Sequence, residues 1–284
     1  TTSKLAIEAI DEFKVRFPED ERVAELEGKR SEMQERIARQ RLQTAREPAA
    51  EIGHVAGAAQ GLAGNGLNIG QGILDAVVQL QHVVAEGIRC LGIEPSVNVG
   101  RAAFEKGVPT LNAFLDEELA TATAAVHGKA DLVVAKNVWA HIPDILGFTR
   151  GLRALVADTG LVSIEVHHAL SLVTQAQFDT IYHEHFQYWT VLAAIGALEM
   201  GGLRLVDVEL LSTHGGSIRL WAAPDSADVA TSLRVDEVVR TEREAGLDTV
   251  AGYQGLAQET SRIRDDLVSY LIEARREGRQ VVGY

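Results

Sequence analysis

The chain has 284 residues, enough to bury a sizeable core and to form one or two domains. Hydrophobic residues make up 46% and charged residues 24%, the composition of an ordinary soluble globular protein. The formal net charge of −13 argues against a broad nucleic-acid or anionic-membrane surface, although backbone amides at a helix start can still bind phosphate. The sequence has no secretory signal and no apolar run of about 18 residues, so we expect a cytoplasmic enzyme.

Cys90 is the only cysteine, which excludes an intrachain disulfide and a cysteine-based zinc knuckle. Its apolar neighbours favour a buried strand thiol over a reactive one. The first 47 residues are rich in charge and in helix formers, and Ile7, Ile10 and Phe13 recur at helical spacing. We therefore expect a charged helical extension over residues 1–47, broken near Pro18, that packs on the body or on another copy of the chain.

Strand-like and helix-like segments alternate over residues 48–200. Candidate helices cover residues 97–106 and 146–155, and candidate strands cover residues 49–52, 88–93, 108–110, 130–135 and 160–166. Strands separated by helices predict a parallel α/β sheet with ligands at the carboxyl ends of its strands.

Residues 201–284 have a different pattern. Candidate strands 203–211 and 217–222 flank the sequence Thr213-His214-Gly215-Gly216, and a charged, mostly helical stretch follows over residues 232–278. An apolar strand then begins at Gln280. We interpret residues 201–284 as a partial second α/β domain that binds substrate.

The densest group of reactive side chains lies between Tyr182 and Tyr188. Five of these seven positions carry two imidazoles, an acid and two phenols, in a chain with nine histidines and five tyrosines. Imidazole titrates near neutral pH, and a neighbouring carboxylate or phenol can orient it, so the cluster indicates proton transfer. A polar loop that only caps two elements is the structural alternative.

Glu94 ends the second candidate strand, where an acid commonly accepts hydrogen bonds from a ribose diol. A simple turn or helix cap is the alternative. The glycine-rich loop expected after the first strand would begin at Gly53, but Glu94 lies 41 residues further on, about twice the usual separation. The run of glycines between these positions is read either as a cofactor loop or as an inserted loop without a ligand.

Further polar residues follow the later strands. Asn137 and His141 come after the fourth strand, and His168 comes after the fifth. Glycines in the 213–216 turn permit close backbone approach, and their amides could hold phosphate, although a tight hairpin would use the same residues. We predict no metal, because His183-Glu184-His185 lacks the i, i+4 spacing of a helical zinc site; a composite site with His141 and His168 is the alternative.

Five segments occur together and in the same order in one known family. They are residues 88–99 (IRCLGIEPSVNV), 131–144 (DLVVAKNVWAHIPD), 160–166 (GLVSIEV), 177–188 (QFDTIYHEHFQY) and 213–219 (THGGSIR). With these segments and the final VVGY, the chain resembles the S-adenosylmethionine-dependent sugar C-methyltransferases of deoxysugar and antibiotic biosynthesis. The resemblance implies a Rossmann-like class I methyltransferase domain over residues 48–200, S-adenosyl-L-methionine as cofactor, and a nucleotide-linked keto-deoxysugar as substrate.

The resemblance also implies roles for individual residues. A carbon beside a ketone becomes nucleophilic only after it loses a proton, so the enzyme needs a base and a way to stabilise the enolate. His185 matches the family's proposed base, Tyr182 and Glu184 match its partners, and His141 matches a histidine near the ketone. The cofactor residues would be Gly53, Glu94, Pro95, Phe114 and Asn137, and the substrate residues would be His168, His183, His214, Gly215 and Gly216.

The chain departs from the family pattern in two places. Members usually carry a cysteine-rich zinc-binding module, which a chain with one cysteine cannot form. Their first loop resembles E-I-G-x-N-D-G, whereas Gly53 here runs into His54-Val55-Ala56-Gly57, as though residues 54–77 were inserted or replaced. Three hypotheses follow: a carbon methyltransferase, an oxygen or nitrogen methyltransferase of another small molecule, or a degenerate or engineered relative that does not catalyse. No nucleic-acid or membrane partner is expected, and the N-terminal helices would allow a homo-oligomer.

Overall fold

The computed structural model describes residues 55–58 and 88–282, which belong to one compact unit, Gly53–Tyr284. The predicted helical extension 1–47, the predicted strand 49–52 and the cofactor residue Gly53 lie outside the described residues. Most of the 54–77 segment lies outside them as well. Its described part is a β-strand, Val55–Ala58.

Strands and helices alternate through the first part of the described chain. In chain order they are β1 Val55–Ala58, β2 Cys90–Ile93, α1 Val97–Glu105, β3 Thr110–Leu111, α2 Glu117–His127, β4 Ala130–Lys136, α3 Ile145–Leu155 and β5 Val156–His167. Of the elements after residue 88, α2 was not predicted, and the others are confirmed with ends shifted by a few residues. Cys90 is buried in β2 as expected, and burial raises the pKa of its thiol.

The later elements are α4 Ala169–Thr174, α5 Val191–Met200, β6 Leu203–Leu211, β7 Ser217–Pro224, α6 Leu233–Glu244 and α7 Gln254–Arg276. The predicted strands 203–211 and 217–222 and the helical stretch 232–278 are confirmed, whereas α4 and α5 were not predicted. Short 3-10 turns connect several of them. The predicted strand from Gln280 is wrong over residues 280–282, which have no regular structure.

The seven described strands form one sheet in the order β3-β2-β1-β4-β5-β7-β6. Strands β1 to β5 are parallel to one another, whereas β7 is antiparallel to both β5 and β6. The order in which strands are added to the sheet reverses between β1 and β4. Strands β2 and β3 lie on one side of β1, and β4 and β5 lie on the other. Ligands of open α/β sheets bind outside the carboxyl ends of the strands at such a switch point.

Local sequence explains where the helices begin. Asp116, Asp144 and Thr190 each accept a hydrogen bond from a backbone N–H in the first turn of α2, α3 and α5. These side chains satisfy amide donors that have no partner within the helix. Gly128 ends α2 with a φ of 82°, a conformation that glycine adopts without strain. The capped helices start at the same edge of the sheet that carries the polar residues.

Strands β6 and β7 bear on the predicted domain division. They hydrogen-bond to β5 and so extend the same sheet that carries β1 to β4. The boundary between residues 200 and 201 stays a prediction, since a shared sheet and a separate substrate-binding role are compatible. Within the described part of the chain, none of the helices is long and apolar enough to cross a bilayer.

Candidate active site

The described residues among the predicted cofactor residues follow the carboxyl ends of β2, β3 and β4. Glu94 directly follows β2 and is buried, and its Oε1 accepts a hydrogen bond of 2.7 Å from the amide of Ser96. Asn112 donates from Nδ2 to the Glu94 carbonyl at 3.1 Å, which ties the ends of β2 and β3 together. A buried carboxylate at this strand end suits the ribose diol of an adenosine cofactor. The chemistry of the described residues therefore fits S-adenosyl-L-methionine.

Three other predicted cofactor residues surround this strand edge. Pro95 follows Glu94 and turns the chain toward α1, and Phe114 follows β3 with a solvent-exposed ring. Asn137 follows β4 with a φ of 52°, and its amide donates to the Glu165 carbonyl at 2.8 Å. The left-handed backbone at Asn137 turns the chain out of β4 into the segment that carries His141.

The four predicted catalytic residues come together near the segment that follows β4 and carries His141. His185 lies at the centre, with its ring centroid 4.6 Å from that of His141, 5.2 Å from Tyr182 and 5.4 Å from Tyr188. All three contacts are edge-to-face. Glu184 contributes its backbone, because its carbonyl accepts a 3.2 Å hydrogen bond from Nδ1 of His141. We call His141, Tyr182, His185 and Tyr188 the histidine cluster.

A stacked pair of tryptophans fixes the loop that carries this cluster. The rings of Trp139 and Trp189 lie 3.8 Å apart and within 5° of parallel, in the buried core. Trp139 follows β4 and Trp189 follows the cluster, so the stack binds one end of the loop to the segment of His141. The amide of Phe186 donates to Ala140 O at 2.8 Å, which adds a backbone contact between the same two segments.

The hydrogen bond to Glu184 determines the tautomer of neutral His141. A carbonyl oxygen only accepts, so Nδ1 of His141 carries the proton and Nε2 carries the lone pair. Burial lowers the pKa of His141, which keeps the ring neutral near pH 7. Neutral His141 therefore presents an acceptor at Nε2.

His185 is held neutral more strongly. Burial lowers its pKa to about 4, with a further contribution from His141, while Glu184 acts in the opposite direction. Its Nδ1 is buried and has no hydrogen-bond partner within residues 88–282. A neutral imidazole can accept a proton, and an unpartnered buried nitrogen is unusual unless a site needs it.

The lowered pKa values of the partly buried histidines predict that the protein loses stability as the pH falls. In the unfolded chain His141, His167 and His185 titrate near their ordinary value of 6.5, whereas burial lowers all three pKa values in the fold. The unfolded chain therefore binds more protons between about pH 6.5 and pH 4, and the free energy of unfolding decreases as the pH falls through that interval. Urea unfolding at pH 7 and pH 5 measures this, and the decrease should be smaller in His185→Asn.

The predicted substrate residues do not all lie together. His183 is exposed in the cluster loop, and His214, Gly215 and Gly216 form the turn between β6 and β7. All three turn residues have positive φ values, of 52°, 78° and 130°. A Cβ on Gly216 would lie 2.3 Å from Oγ of Ser171, so the turn packs closely on the segment after β5.

The structure gives His168 a structural contact instead of a position facing substrate. Its side chain is 3% exposed, and Nε2 donates to Oε1 of Glu242 at 2.8 Å. Glu242 belongs to α6, is 0% exposed, and also accepts from the amides of Val191 at 2.6 Å and Leu192 at 3.0 Å. Its carboxylate thus caps the start of α5 and holds His168 at the end of β5. We call these four residues the Glu242 clasp.

Sequence reasoning missed several residues that build the site: Trp139, Gln177, Trp189 and Glu242. Their partners are distant in the chain, as in the 51 residues between Val191 and Glu242. Of these four, Trp139 and Gln177 lie within the family motifs, in segments 131–144 and 177–188. Across residues 88–282, histidine, cysteine and acidic side chains nowhere gather in a group of three suited to a metal ion.

Comparison with known proteins identifies the family of this chain. Residues 31–208, more than half of the chain, match the family model described as a methyltransferase domain. The chain belongs to the methyltransferase-domain family. This membership and the sheet order confirm the predicted Rossmann-like methyltransferase domain and S-adenosyl-L-methionine as its cofactor. A second family model, described as a C-methyltransferase C-terminal domain, matches residues 212–284 of the chain.

One relative is similar over most of the methyltransferase. The C-methyltransferase NovU of Streptomyces niveus is 37% identical over 198 residues, which cover 70% of this chain and 47% of NovU. The chain thus spans less than half the length of that relative.

Two solved structures are similar at lower identity. A SAM-dependent methyltransferase from Anabaena variabilis has a TM-score of 0.44 and 12% identity, and covers 60% of this chain and 76% of its own. The magnesium protoporphyrin IX methyltransferase of Synechocystis, with bound SAH, has a TM-score of 0.42 and 14% identity, and covers 76% of this chain and 94% of its own.

Proposed function

We propose that the methyltransferase transfers a methyl group from S-adenosyl-L-methionine to a carbon beside a ketone, in a nucleotide-linked keto-deoxysugar. The observation that carries the proposal is the histidine cluster, in which two neutral imidazoles and two phenols meet at the carboxyl ends of the strands. Carbon as the acceptor is further supported by the similarity to NovU, a C-methyltransferase, and by the C-methyltransferase family model that matches residues 212–284. The sugar rests on the five ordered motifs.

The cluster has the groups that carbon methylation requires. A proton on the carbon beside the ketone is weakly acidic, so a neutral base must stand close to it. His185 is assigned as that base, because its low pKa keeps it unprotonated and its ring is surrounded by the other three rings. The Tyr182 hydroxyl is assigned as donor to the enolate oxygen, since neutral His141 offers an acceptor and not a donor at Nε2.

The remaining residues bind and orient. Glu94 would accept hydrogen bonds from the cofactor ribose, and Phe114 and Asn137 would lie nearer the adenine and the methyl group. When bound, S-adenosyl-L-methionine supplies an electrophilic methyl group on a positively charged sulfur. The tryptophan stack and the contact between Phe186 and Ala140 hold the base at the strand edge, so its position does not depend on the substrate.

Two measurements on the full chain test the function. Incubation with a thymidine diphosphate-linked 4-keto-6-deoxyhexose and S-adenosyl-L-methionine should give a product heavier by one methyl group, attached to carbon by NMR. With S-adenosylhomocysteine in heavy water, the hydrogen beside the ketone should exchange for deuterium. Methyl transfer to oxygen or nitrogen without exchange would contradict carbon chemistry, and no binding of S-adenosylhomocysteine by calorimetry would identify a non-catalytic relative.

Glu94→Gln tests the cofactor assignment. The substitution keeps the shape of the side chain and removes its charge, so it weakens the hydrogen bonds expected with the ribose diol. Because hydrogen bonds to a charged group contribute about 1.5–3 kcal/mol, affinity for S-adenosylhomocysteine should fall about tenfold to a hundredfold in calorimetric titration. The matched control is Glu105→Gln at the exposed end of α1. Equal affinity in the two variants would remove Glu94 from the cofactor site.

A further inference from the structure

We propose that Gln177 is a positioning residue, which holds the β6–β7 turn against the segment that leads into the histidine cluster. This role rests on the proposed function. Gln177 would set the spacing between the β6–β7 turn and the histidine cluster, the two parts of the substrate site. The turn carries His214, Gly215 and Gly216, and the cluster carries the base. None of the motif-based roles includes Gln177 or its partner His167.

The Gln177 side chain joins three segments of the chain. Its Oε1 lies 2.9 Å from Nε2 of His167, at the end of β5. Its Nε2 donates to the carbonyl of Gly215 at 2.8 Å and to Oε1 of Gln175 at 2.8 Å. One amide therefore links the end of β5, the segment after α4 and the turn between β6 and β7.

Hydrogen-bond chemistry fixes the orientation of this amide. The Gly215 carbonyl only accepts, so the nitrogen of the Gln177 side chain must face it, and the oxygen must face His167. Nε2 of His167 consequently carries a proton and donates. His167 is thus a matched donor, and a side chain without a donor at this position would leave Oε1 of Gln177 without its partner.

The turn is shaped to receive this contact. A Cβ on Gly215 would lie 2.8 Å from Nε2 of Gln177, so the glycine allows the amide to reach the backbone. The Gly216 carbonyl accepts from the amide of His168 at 3.0 Å, and Oγ of Ser217 donates to Thr213 O at 3.0 Å. The turn is therefore anchored on the β5 side by backbone bonds and on the cluster side by Gln177.

The backbone of Gln177 continues the link toward the base. Its carbonyl accepts from the amide of Thr180 at 3.1 Å and from Oγ1 of Thr180 at 2.7 Å, which closes the 3-10 turn before Tyr182. The amide of Tyr182 then donates to the Tyr188 hydroxyl at 2.9 Å, inside the cluster. A change at the Gln177 side chain is thus transmitted through two short local contacts.

Gln177→Glu is the informative substitution. It keeps an acceptor for His167 and places a carboxylate oxygen against the Gly215 carbonyl, where a donor is required. His167→Ala removes the other partner, and His167→Gln keeps a donor nitrogen near the position of Nε2. Gln258→Glu, an exposed position on α7, is the matched control for the same chemical change.

The primary readout is hydrogen exchange of the peptide spanning residues 212–217, followed by mass spectrometry on the full chain. We expect about tenfold faster exchange there in Gln177→Glu and His167→Ala, a smaller effect in His167→Gln, and no change in Gln258→Glu. Unchanged exchange in Gln177→Glu would overturn the proposal. Faster exchange across the whole chain would also overturn it, because the residue would then be needed for folding and not for the turn.

The second readout is kinetic and uses the same keto-sugar nucleotide. Loss of one hydrogen bond should raise the KM for the sugar about fivefold to tenfold in Gln177→Glu and leave the Kd for S-adenosylhomocysteine unchanged. The double variant His167→Ala/Gln177→Glu should be no worse than the more affected single variant, since both act on one link. Additive effects, or an unchanged KM, would overturn the positioning role. If the wild type does not methylate the sugar, the proposed function fails while the exchange experiment still decides the link.

Discussion

His185→Asn is expected to lower the rate of methyl transfer by about 10²–10⁴-fold, the usual contribution of a positioned general base. The amide cannot take up a proton, whereas the imidazole it replaces is neutral and lies among His141, Tyr182 and Tyr188. Single-turnover methylation and deuterium exchange beside the ketone should fall together, because both need proton removal. Methylation at the wild-type rate would show that His185 is not the base.

Two controls separate the loss of the base from damage to the site. Affinity for S-adenosylhomocysteine should stay at the wild-type value, since His185 is not one of the predicted cofactor residues. His127→Asn, at the end of α2, makes the same substitution away from the cluster and should leave the rate unchanged.

In the wild type kcat/KM should decrease as the pH falls through about 4, not through 6.5, because protonation of His185 removes the base form.

Glu242→Ala is expected to lower the free energy of unfolding by about 3–5 kcal/mol, the range measured when one partner of a buried pair is removed. The substitution leaves the imidazole of His168 and the amides of Val191 and Leu192 without their acceptor. It also removes a negative charge from the start of α5, where the helix dipole favours one. Urea unfolding measures the loss, and an effect below about 1 kcal/mol would contradict the clasp.

Glu242→Gln refines the same test. Glutamine has one acceptor oxygen where three donors converge on two, so at least one donor faces an NH₂ group, and a loss of about 1–3 kcal/mol is expected. Glu244→Gln, exposed on the same helix, is the matched control and should unfold like the wild type. Because the clasp joins the residues on either side of segment 169–190, methyl transfer should also fall in Glu242→Ala, with stability and activity lost together.

Local sequence was sufficient for much of the fold. The apolar run of β4 and the capping side chain Asp144 act on neighbours a few residues away, so their pattern can be recognised in the sequence. Helices α2, α4 and α5 were not predicted, and the predicted strand from Gln280 is wrong over residues 280–282. An apolar run forms a strand only where another strand is available to pair with it, and pairing cannot be read from the run itself.

The candidate site divides in the same way. The proposed catalytic residues, such as His141 and His185, were identified because their side chains are rare and lie in ordered motifs at the ends of strands. His168 looked equivalent in sequence, yet the fold turns it into the core toward Glu242. The burial of His168 depends on a partner 74 residues away, which the sequence around it does not show.

The sequence by itself determined the class of fold, the order of the strands from residue 88 onwards and the imidazole and phenol groups available for proton transfer, because these follow from local patterns of polarity and residue type. Only the tertiary structure decided how those groups work together. The carbonyl of Glu184 sets the tautomer of His141, burial sets the pKa of His185, and Gln177 joins the turn to the cluster. Each depends on contacts between segments far apart in the chain, which exist only after the sheet has brought them to one edge.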